Sequence, residues 1–382
     1  MGKRANGEGT VYQRKDGRWV ATITIEQGKR KYLYFKTQKE AIKAARETNN
    51  LKDQGLLLTG EDQTIELFLR TWLEDTAQPR LRERTYIRYR GLIENHIIPA
   101  IGKVKLQKLM PQHLQRLYNE KRKEGYAPQT IKHIHRVLHR AFHDALRWSL
   151  ITHNVCDAVD APRVPRHEMQ VLNVEQAQKL LQIAREDPFE AVYVLALTTG
   201  MRQGELLGLK WEDISLDGGK LQVRRTIARV GKLGFITNEP KTPRSRRSIY
   251  LADLAIEALK RHRAHQYELR LSAGPAWEDQ GWVFCNQIGR PVEAGNLMRR
   301  SFKPLLKKAD VPDIRFHDLR HSAATLLLSM DVHPKIVQEL LGHSNISMTL
   351  DTYSHVLPSL QEQAVTRLNT LFSATTPGTG TK

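Results

Sequence analysis

The strongest constraint on the fold of this chain is a change in hydrophobic periodicity near residue 36. Apolar and polar side chains first alternate in three short runs, at residues 10–13, 19–25 and 31–35. Asp16-Gly17 and Gln27-Gly28 separate these runs at hairpin spacing. Helical spacing follows over residues 38–53, with an apolar stripe made of Ala41, Ile42, Ala45 and Leu51. We therefore predict a three-stranded sheet backed by one helix, in an N-terminal domain of residues 1–57.

The predicted sheet is rich in basic side chains, which are Arg14, Lys15, Arg18, Lys29, Arg30 and Lys31. A two-stranded or three-stranded ribbon fits the major groove of B-DNA, so we regard these residues as candidate DNA contacts. The alternative interpretation is a solvated basic face on a small β domain.

Residues 64–150 have helical periodicity throughout, which predicts a helical domain over about residues 60–155. Breaks at Pro79, at 99–102, at Pro111 and at 125–128 divide the pattern. They predict four helices, at residues 64–76, 84–97, 111–123 and 128–148.

The last of these helices has one apolar face and one basic face. Its basic face carries Lys132, His133, His135, Arg136, His139, Arg140, His143 and Arg147. Such a face suits phosphate contact, and Lys132, Arg136 and Arg140 are the candidate DNA-binding residues, although a solvated surface helix has a similar pattern.

Composition and charge limit the class of protein. A hydrophobic fraction of 40% in 382 residues allows real cores and excludes wholesale disorder. The net charge of +19 favours a polyanionic partner, although a generally basic enzyme would share it. Neither a signal peptide nor an apolar stretch of membrane-spanning length is present, so we expect a cytoplasmic protein without membrane contact. Cys156 and Cys285 lie in apolar surroundings without CxxC spacing, which predicts buried thiols.

A linker at residues 157–166, with Pro162 and Pro165, precedes a second globular unit over about residues 170–372. The Thr-Pro-Gly-rich residues 373–382 have the composition of a disordered tail. The predicted fold class is therefore multidomain and mainly α with small β sheets, the last domain being mixed α+β.

Four segments of the second unit carry candidate chemistry. In the first, Arg202 follows the turn at Gly200 and begins a helix, which suits a phosphate, and Glu205 at i+3 could hold that arginine in place. Lys241 lies in a basic turn that leads into a strand, where it could donate a proton. His317 and Arg320, at i and i+3, project from one helix face. The fourth segment contains His343 and, ten residues later, Tyr353.

Together these segments resemble the signature boxes of the tyrosine recombinases, the family of lambda integrase, over about residues 170–360. The lysine segment agrees with the family pattern at Lys241, Ser245, Arg247, Ile249 and Leu251. The helical region resembles the family's core-binding, SAM-like domain. The N-terminal sheet resembles the arm-site-binding domain of phage and conjugative-transposon integrases.

The resemblance implies a site-specific recombinase that cuts and rejoins DNA through a 3′-phosphotyrosyl intermediate and integrates or excises a mobile element or prophage. It makes Tyr353 the nucleophile, Arg202 and Arg320 the phosphate clamp, and Lys241 the proton donor to the leaving 5′ oxygen. His317 becomes an acid-base or hydrogen-bonding partner, His343 a support for the phosphate, and Glu205 a supporting residue. No cofactor and no metal are implied, because the phosphotyrosyl ester conserves the bond energy.

The resemblance further implies partners. These are double-stranded DNA at core and arm sites, a homotetramer on synapsed DNA, an excisionase and a DNA-bending host factor. The helix around 358–372 is implied to dock on a neighbouring subunit.

Three other classes of protein share part of this pattern. His317, His321 and His343 could supply three zinc ligands of a nuclease, but the intervening residues lack a glutamate base and Arg320 would repel a cation. A DNA-binding regulator with inert boxes would not be expected to retain every chemical residue type. A type IB topoisomerase shares the chemistry but usually lacks such an N-terminal sheet.

Overall fold

The computed structural model describes residues 10–24, 30–53, 63–165, 169–239, 246–343, 345–353, 365–366, 368–370 and 372. The chain divides into two compact units, residues 1–166 and 167–382, and each is described by itself. The predicted fold class, mainly α with small β sheets, is confirmed.

The first unit begins with an antiparallel three-stranded sheet of β1 (Thr10–Gln13), β2 (Trp19–Thr24) and β3 (Arg30–Phe35), in that order. Helix α1 (Gln38–Asp53) packs on it. Ala21 of the sheet and Ala41 and Ala45 of the helix are buried together. The predicted apolar stripe was wrong at Ile42, which is 37% exposed, because small alanines at i and i+4 suffice to cover so narrow a sheet.

After α1, the described part of this unit is mainly helical. In chain order the helices are α2 (Ile65–Thr71), α3 (Gln78–Arg80), α4 (Glu83–Leu92), α5 (Ile98–Ile101), α6 (Pro111–Lys123) and α7 (Pro128–Arg147). Short 3-10 helices cover Leu106–Lys108 and Val155–Ala158. One apolar core joins these elements and includes Val155, Cys156 and Val159, so the chain stays packed at the start of the predicted linker.

The break predicted at Pro79 was wrong, because the helix continues through this proline to Arg80. The break predicted at 99–102 is present, but the helix passes Pro99 and ends at Ile101. A π-helix, Trp72–Ala77, connects α2 to α3, and a second, Ile93–Ile97, connects α4 to α5. Before each proline, the backbone N–H of Gln78 or Ile98 donates to a carbonyl five residues earlier. The wider π turn makes room for a pyrrolidine ring that an ordinary α-helical turn would exclude, so the helix continues.

Helix α7 confirms the two faces that its sequence predicts. Ile131, Ile134, Val137, Leu138 and Phe142 are buried, each at 1% exposure or less. Arg136, His139, Arg140, His143 and Arg147 are exposed, while Lys132, His133 and His135 are half-buried. His135 accepts or donates a 3.0 Å hydrogen bond with the Tyr118 hydroxyl on α6, so this histidine belongs to the packing of the unit.

The second unit is also mainly helical. Its α-helices are α8 (Val174–Ala184), α9 (Glu190–Thr199), α10 (Gln203–Leu206), α11 (Asp253–Ala273), α12 (Ala294–Leu297), α13 (Lys303–Lys308), α14 (Phe316–Ser329), α15 (Pro334–Leu341) and α16 (Ile346–Tyr353). A π-helix, Met298–Phe302, links α12 to α13. Short 3-10 helices cover Trp211–Asp213, Gly231–Leu233 and Gly274–Ala276.

Two small antiparallel sheets accompany these helices. Strands β4 (Ile214–Ser215), β5 (Lys220–Val223) and β8 (Arg247–Tyr250) form one, and β6 (Thr226–Arg229) and β7 (Phe235–Asn238) form the other. Leu221 of β5 and Ile249 of β8 are cross-strand partners that enter the core, and β8 is the strand predicted after the lysine turn.

Both cysteines are buried free thiols, as predicted. Among the described residues, no helix combines the length and apolar character needed to cross a membrane.

Candidate active site

The first site segment is a turn at the end of α9. Gly200 takes the left-handed conformation, with φ 60° and ψ 22°, and a Cβ there would lie 2.4 Å from Cδ2 of Leu341. Glycine therefore meets both a backbone and a packing requirement. Arg202 follows as the N-cap of α10, and its backbone N–H donates to Oε2 of Glu205 at 3.1 Å.

Glu205 lies between two guanidinium groups. Its Oε1 accepts a 2.9 Å hydrogen bond from Arg202, and its Oε2 accepts a 3.0 Å hydrogen bond from Arg247. Burial of the side chain, which is 2% exposed, would raise the pKa of Glu205. The charges of Arg247 and Arg202 and their hydrogen bonds outweigh burial and hold this pKa below its usual value. The contact that the spacing of Arg202 and Glu205 suggested is thus present.

Arg202 and Arg247 differ in exposure. The Arg202 side chain is 38% exposed, whereas that of Arg247 is 7% exposed. Arg202 can therefore reach a solvent-borne phosphate while Glu205 holds it, and Arg247 is part of the interior.

Helix α14 carries His317 and Arg320. It begins at Phe316, where the Asp318 carboxylate accepts bonds from the Arg315 backbone N–H at 2.8 Å and from its guanidinium at 2.8 and 3.1 Å. Arg320 is 2% exposed, and its Nη1 donates to the Gly200 carbonyl at 2.7 Å. This bond brings the second arginine to the turn that precedes Arg202.

The histidines of the segments are held mainly in their neutral forms. His317 lies on the exposed side of α14, where desolvation by neighbouring atoms and then the charges of Arg320 and Arg202 lower its pKa. The His321 ring meets it edge to face, with centroids 4.9 Å apart. Burial and then the proximity of His317 lower the pKa of His321 to about 4.

His343 follows the left-handed Gly342 at the end of α15 and is 9% exposed. Its Nδ1 is 2.8 Å from Oγ1 of Thr349, and its backbone carbonyl accepts from Gln338 at 3.1 Å. Burial, followed by the charges of Arg320 and Arg202, lowers the pKa of His343 to about 4. The ring is therefore neutral at neutral pH.

Two predicted site residues, Tyr353 and Lys241, lie partly or wholly outside the described part of the structure. Tyr353 is the last residue of α16, and its side chain lies outside the described part of the structure. Lys241 lies outside the described residues altogether.

The structure brings the other five predicted catalytic and supporting residues together. Arg320 contacts the Gly200 carbonyl next to Arg202, and Arg202 binds Glu205. Burial and then the charges of Arg320 and Arg202 lower the pKa values of His317 and His343.

The candidate DNA contacts belong to the first unit. Arg14, Lys15 and Arg18 are exposed around the β1–β2 turn, and Asp16 holds Arg18 with a 2.8 Å ion pair. Lys29 and the side chains of Arg30 and Lys31 lie outside the described part. Arg136 and Arg140 are exposed on α7 beside the half-buried Lys132.

Sequence reasoning left Arg247 out of the site. Its partner Glu205 is 42 positions away, so no local spacing reveals the contact. The only sequence signal is its place in the lysine segment. Thr349, which is fully buried beside His343, was missed for the same reason.

The described residues contain no group of three or more His, Cys, Asp or Glu side chains that could hold a metal ion.

Comparison with known proteins identifies the family. A model of the phage integrase family matches residues 170–359, and a model of the N-terminal SAM-like domain of phage integrases matches residues 64–122. A tyrosine recombinase XerC-like protein of Caldanaerobacter subterraneus subsp. tengcongensis is 34% identical over 374 residues, which cover 92% of this chain and 95% of the relative. The chain belongs to the phage integrase family. The resemblance drawn from the four segments is confirmed, and the enzyme is a tyrosine recombinase rather than a zinc nuclease or an inert regulator.

Solved integrases share the fold of this recombinase. The Tn1549 transposon integrase, in complex with a circular intermediate DNA, has a TM-score of 0.66 at 21% identity, over 79% of this chain and 99% of that one. A lambda integrase tetramer bound to a Holliday junction has a TM-score of 0.55 at 21% identity, over 92% of this chain and 96% of that one.

Proposed function

We propose that this integrase cleaves and rejoins double-stranded DNA at specific sites through a 3′-phosphotyrosyl bond to Tyr353. The observation that supports this most is the convergence of Arg202 and Arg320 at one turn. Arg320 donates to the Gly200 carbonyl, and Arg202 begins the next helix two residues later. Two arginines from distant segments are therefore held at one turn, and in addition to burial the charges of both lower the pKa of His343, which supports a shared phosphate site.

The proposed reaction exchanges one phosphate ester for another. The Tyr353 oxygen attacks the scissile phosphorus, the bond from phosphorus to the 5′ oxygen breaks, and Lys241 gives that oxygen its proton. Rejoining reverses these steps with a new 5′ hydroxyl. A free tyrosine has a pKa near 10, so a cluster of positive charge favours the phenolate.

Positive charge is concentrated at the proposed phosphate site. Arg202, Arg247 and Arg320 all lower the pKa of His343, while Glu205 is the carboxylate that two of them contact. Each donor to the developing charge of the transition state is worth about 10² to 10³ in rate.

His343 suits the role of a neutral hydrogen-bond donor. When Thr349 donates to Nδ1, the imidazole carries its proton on Nε2 and can donate it to a non-bridging oxygen. His317, on the exposed side of α14, is proposed as the second hydrogen-bonding or acid-base group.

The test uses a nicked duplex that contains the target site. After cleavage, the short fragment with the free 5′ hydroxyl dissociates, so rejoining is prevented and the covalent complex accumulates. We expect an adduct that resists SDS and EDTA, with the nucleotide remnant on Tyr353 by mass spectrometry. Tyr353→Phe should abolish the adduct and leave DNA affinity nearly intact, because it removes the nucleophile and no phosphate contact. An adduct that EDTA prevents, or one on another residue, contradicts the proposal.

Each domain is proposed to have a separate role in recombination. Residues 60–155 would bind the core site, residues 170–372 would carry out the chemistry, and residues 1–57 would bind distal arm sites. The exposed Arg14, Lys15 and Arg18 support the last role. Deletion of residues 1–57 should spare cleavage at core sites and abolish integration that needs arm sites; unchanged integration contradicts this role.

The assembly is proposed by analogy with the lambda integrase tetramer on a Holliday junction. We infer a homotetramer on two synapsed duplexes in the bacterial cytoplasm, associated with the nucleoid and assisted by an excisionase and a DNA-bending host factor. Integration and excision of a mobile element would be its two directions.

A further inference from the structure

Arg247 connects three parts of the second unit. It begins strand β8, its Nη2 donates to Glu205 at 3.0 Å, and its Nε donates to the Leu340 carbonyl at 2.6 Å. Glu205 lies in α10 and holds Arg202, while Leu340 lies in the last turn of α15, just before His343. One buried guanidinium thus joins the arginine and the histidine segments of the site.

We propose that Arg247 is a positioning residue for phosphate binding in the recombination reaction, acting through Glu205 on Arg202 and through Leu340 on His343. This inference rests on the proposed function. Arg247 is 7% exposed and does not itself reach solvent freely, so it acts through its neighbours.

The first effect is electrostatic. The Glu205 carboxylate is 2% exposed and shares its charge between Arg202 and Arg247. Without Arg247, the full negative charge would be directed at Arg202. That arginine would then be drawn into a closed ion pair and would offer less positive charge to a phosphate.

The second effect is geometric. A Cβ on Gly342 would lie 2.9 Å from Nη1 of Arg247, so the guanidinium packs directly on the turn that leads to His343. Because the arginine donates from Nε to Leu340 and from Nη2 to Glu205, its planar shape fixes the distance between these two segments. The flexible ammonium group of a lysine at this position cannot donate to Leu340 and to Glu205 in the same geometry.

The experiment compares single-turnover cleavage of the nicked duplex by the full-length protein at saturating enzyme. We expect Arg247→Gln to lower the cleavage rate constant about 100-fold, the scale of a small misplacement of reacting groups, with DNA affinity nearly unchanged. Arg247→Lys should cleave at least about 10-fold more slowly than the wild type, because lysine restores the positive charge but not the planar guanidinium with its several donors. The matched control is Arg261→Gln, which removes a guanidinium that holds the nearly buried Glu190 at 2.7 Å, at the opposite end of α9 from Gly200. It should retain the wild-type rate constant.

Two further measurements separate positioning from loss of folded protein. In a double-mutant cycle, Arg202→Lys and Arg247→Gln should be strongly non-additive, because both act through the same guanidinium; additive effects overturn the proposal. A substrate with sulfur in place of the leaving 5′ oxygen needs no proton donor. It should rescue Lys241→Ala and should not rescue Arg247→Gln.

The outcomes are distinct. Thiolate rescue of Arg247→Gln, or a wild-type rate constant in both Arg247 variants, overturns the positioning role. If Arg247→Gln does not fold, Arg247→Lys carries the cycle and the thiolate comparison. Failure of the wild-type enzyme to form a Tyr353 adduct would instead overturn the proposed function.

Discussion

Arg320 donates a 2.7 Å hydrogen bond from Nη1 to the carbonyl oxygen of Gly200. The bond spans 120 positions of sequence and ties α14 to the turn that precedes Arg202. Because Arg320 is 2% exposed, its guanidinium is held by the interior rather than by solvent. The position of the Arg320 guanidinium at this turn is therefore set by the fold before any phosphate arrives. If Arg320 and Arg202 clamp the phosphate as proposed, this preorganisation favours fast chemistry.

We predict that Gly200→Ala is destabilising and slows cleavage. The new Cβ would lie 2.4 Å from Cδ2 of Leu341, and the alanine backbone would have to adopt φ 60°. The turn must therefore move and carry the Gly200 carbonyl away from Arg320. We expect a loss of about 1–3 kcal/mol in the free energy of unfolding, by chemical denaturation, and a reduced single-turnover rate. Gly125→Ala is the control, since Gly125 also has a positive φ but nothing within 4 Å of its added Cβ. Equal losses in the two variants would show that packing against Leu341 is unimportant.

The neutral His343 predicts how stability depends on pH. Its pKa is about 4 in the folded protein and 6.5 when unperturbed, so the unfolded chain takes up the proton first as the pH falls. The contribution of the neutral His343 to the free energy of unfolding is fully present above pH 6.5 and is lost progressively as the pH falls to about 4. It is worth at most about 3 kcal/mol.

Equilibrium denaturation between pH 4 and 8 measures this loss. His343→Asn should partly flatten the curve of unfolding free energy against pH. Adding His321→Asn should flatten this curve further, because the pKa of His321 is also about 4. An unchanged slope in His343→Asn would mean that His343 takes up its proton at the same pH in the folded and the unfolded protein, which contradicts its lowered pKa.

The elements of the N-terminal sheet and of α7 could be predicted because their periodicity is local. Strand and helix boundaries there agree with the sequence patterns to within a residue or two. The continuation of the helices through Pro79 and Pro99 could not be predicted, since the π turns before these prolines depend on hydrogen bonds that no spacing encodes. Proline stops an α-helix, but a wider turn accommodates its ring.

The candidate site could be predicted in its residue types and in its short-range contacts. Arg202 and Glu205 are three positions apart and meet as expected. Arg247 and the Gly200 carbonyl could not be recognised as parts of the site, because their partners come from distant segments. Long-range contacts of this kind are determined by packing.

We predict that Trp72→Phe destabilises the first unit. The Trp72 indole donates a 2.9 Å hydrogen bond to Oδ2 of Asp144, which is 7% exposed. Phenylalanine would remove this donor and leave the carboxylate with the longer 3.7 Å ion pair to Arg147. A cost of about 1–3 kcal/mol is expected by thermal or chemical denaturation. Asp144→Asn keeps an acceptor oxygen and should cost less. The opposite order would contradict the importance of this bond.

The exposed face of α7 gives a prediction for DNA binding. Arg136 and Arg140 are one helical turn apart and are both exposed, so both can contact phosphates of one backbone. Each phosphate contact contributes about 0.9 to the slope of log affinity against log salt concentration. Arg136→Gln with Arg140→Gln should therefore reduce that slope by about 1.8 on core-site DNA and weaken binding similarly on every sequence.

The control for this measurement changes net charge by the same amount elsewhere in the unit. Arg70 and Arg116 are exposed and pair with Glu66 and Glu120 at 3.1 and 2.8 Å, each within its own helix. Arg70→Gln with Arg116→Gln should leave the slope nearly unchanged, because these arginines are already neutralised by carboxylates. An equal reduction of the slope in both double variants would show that the general charge of the protein, and not the face of α7, attracts the DNA. A sequence-dependent loss at Arg136 or Arg140 would point instead to a contact with base edges in the major groove.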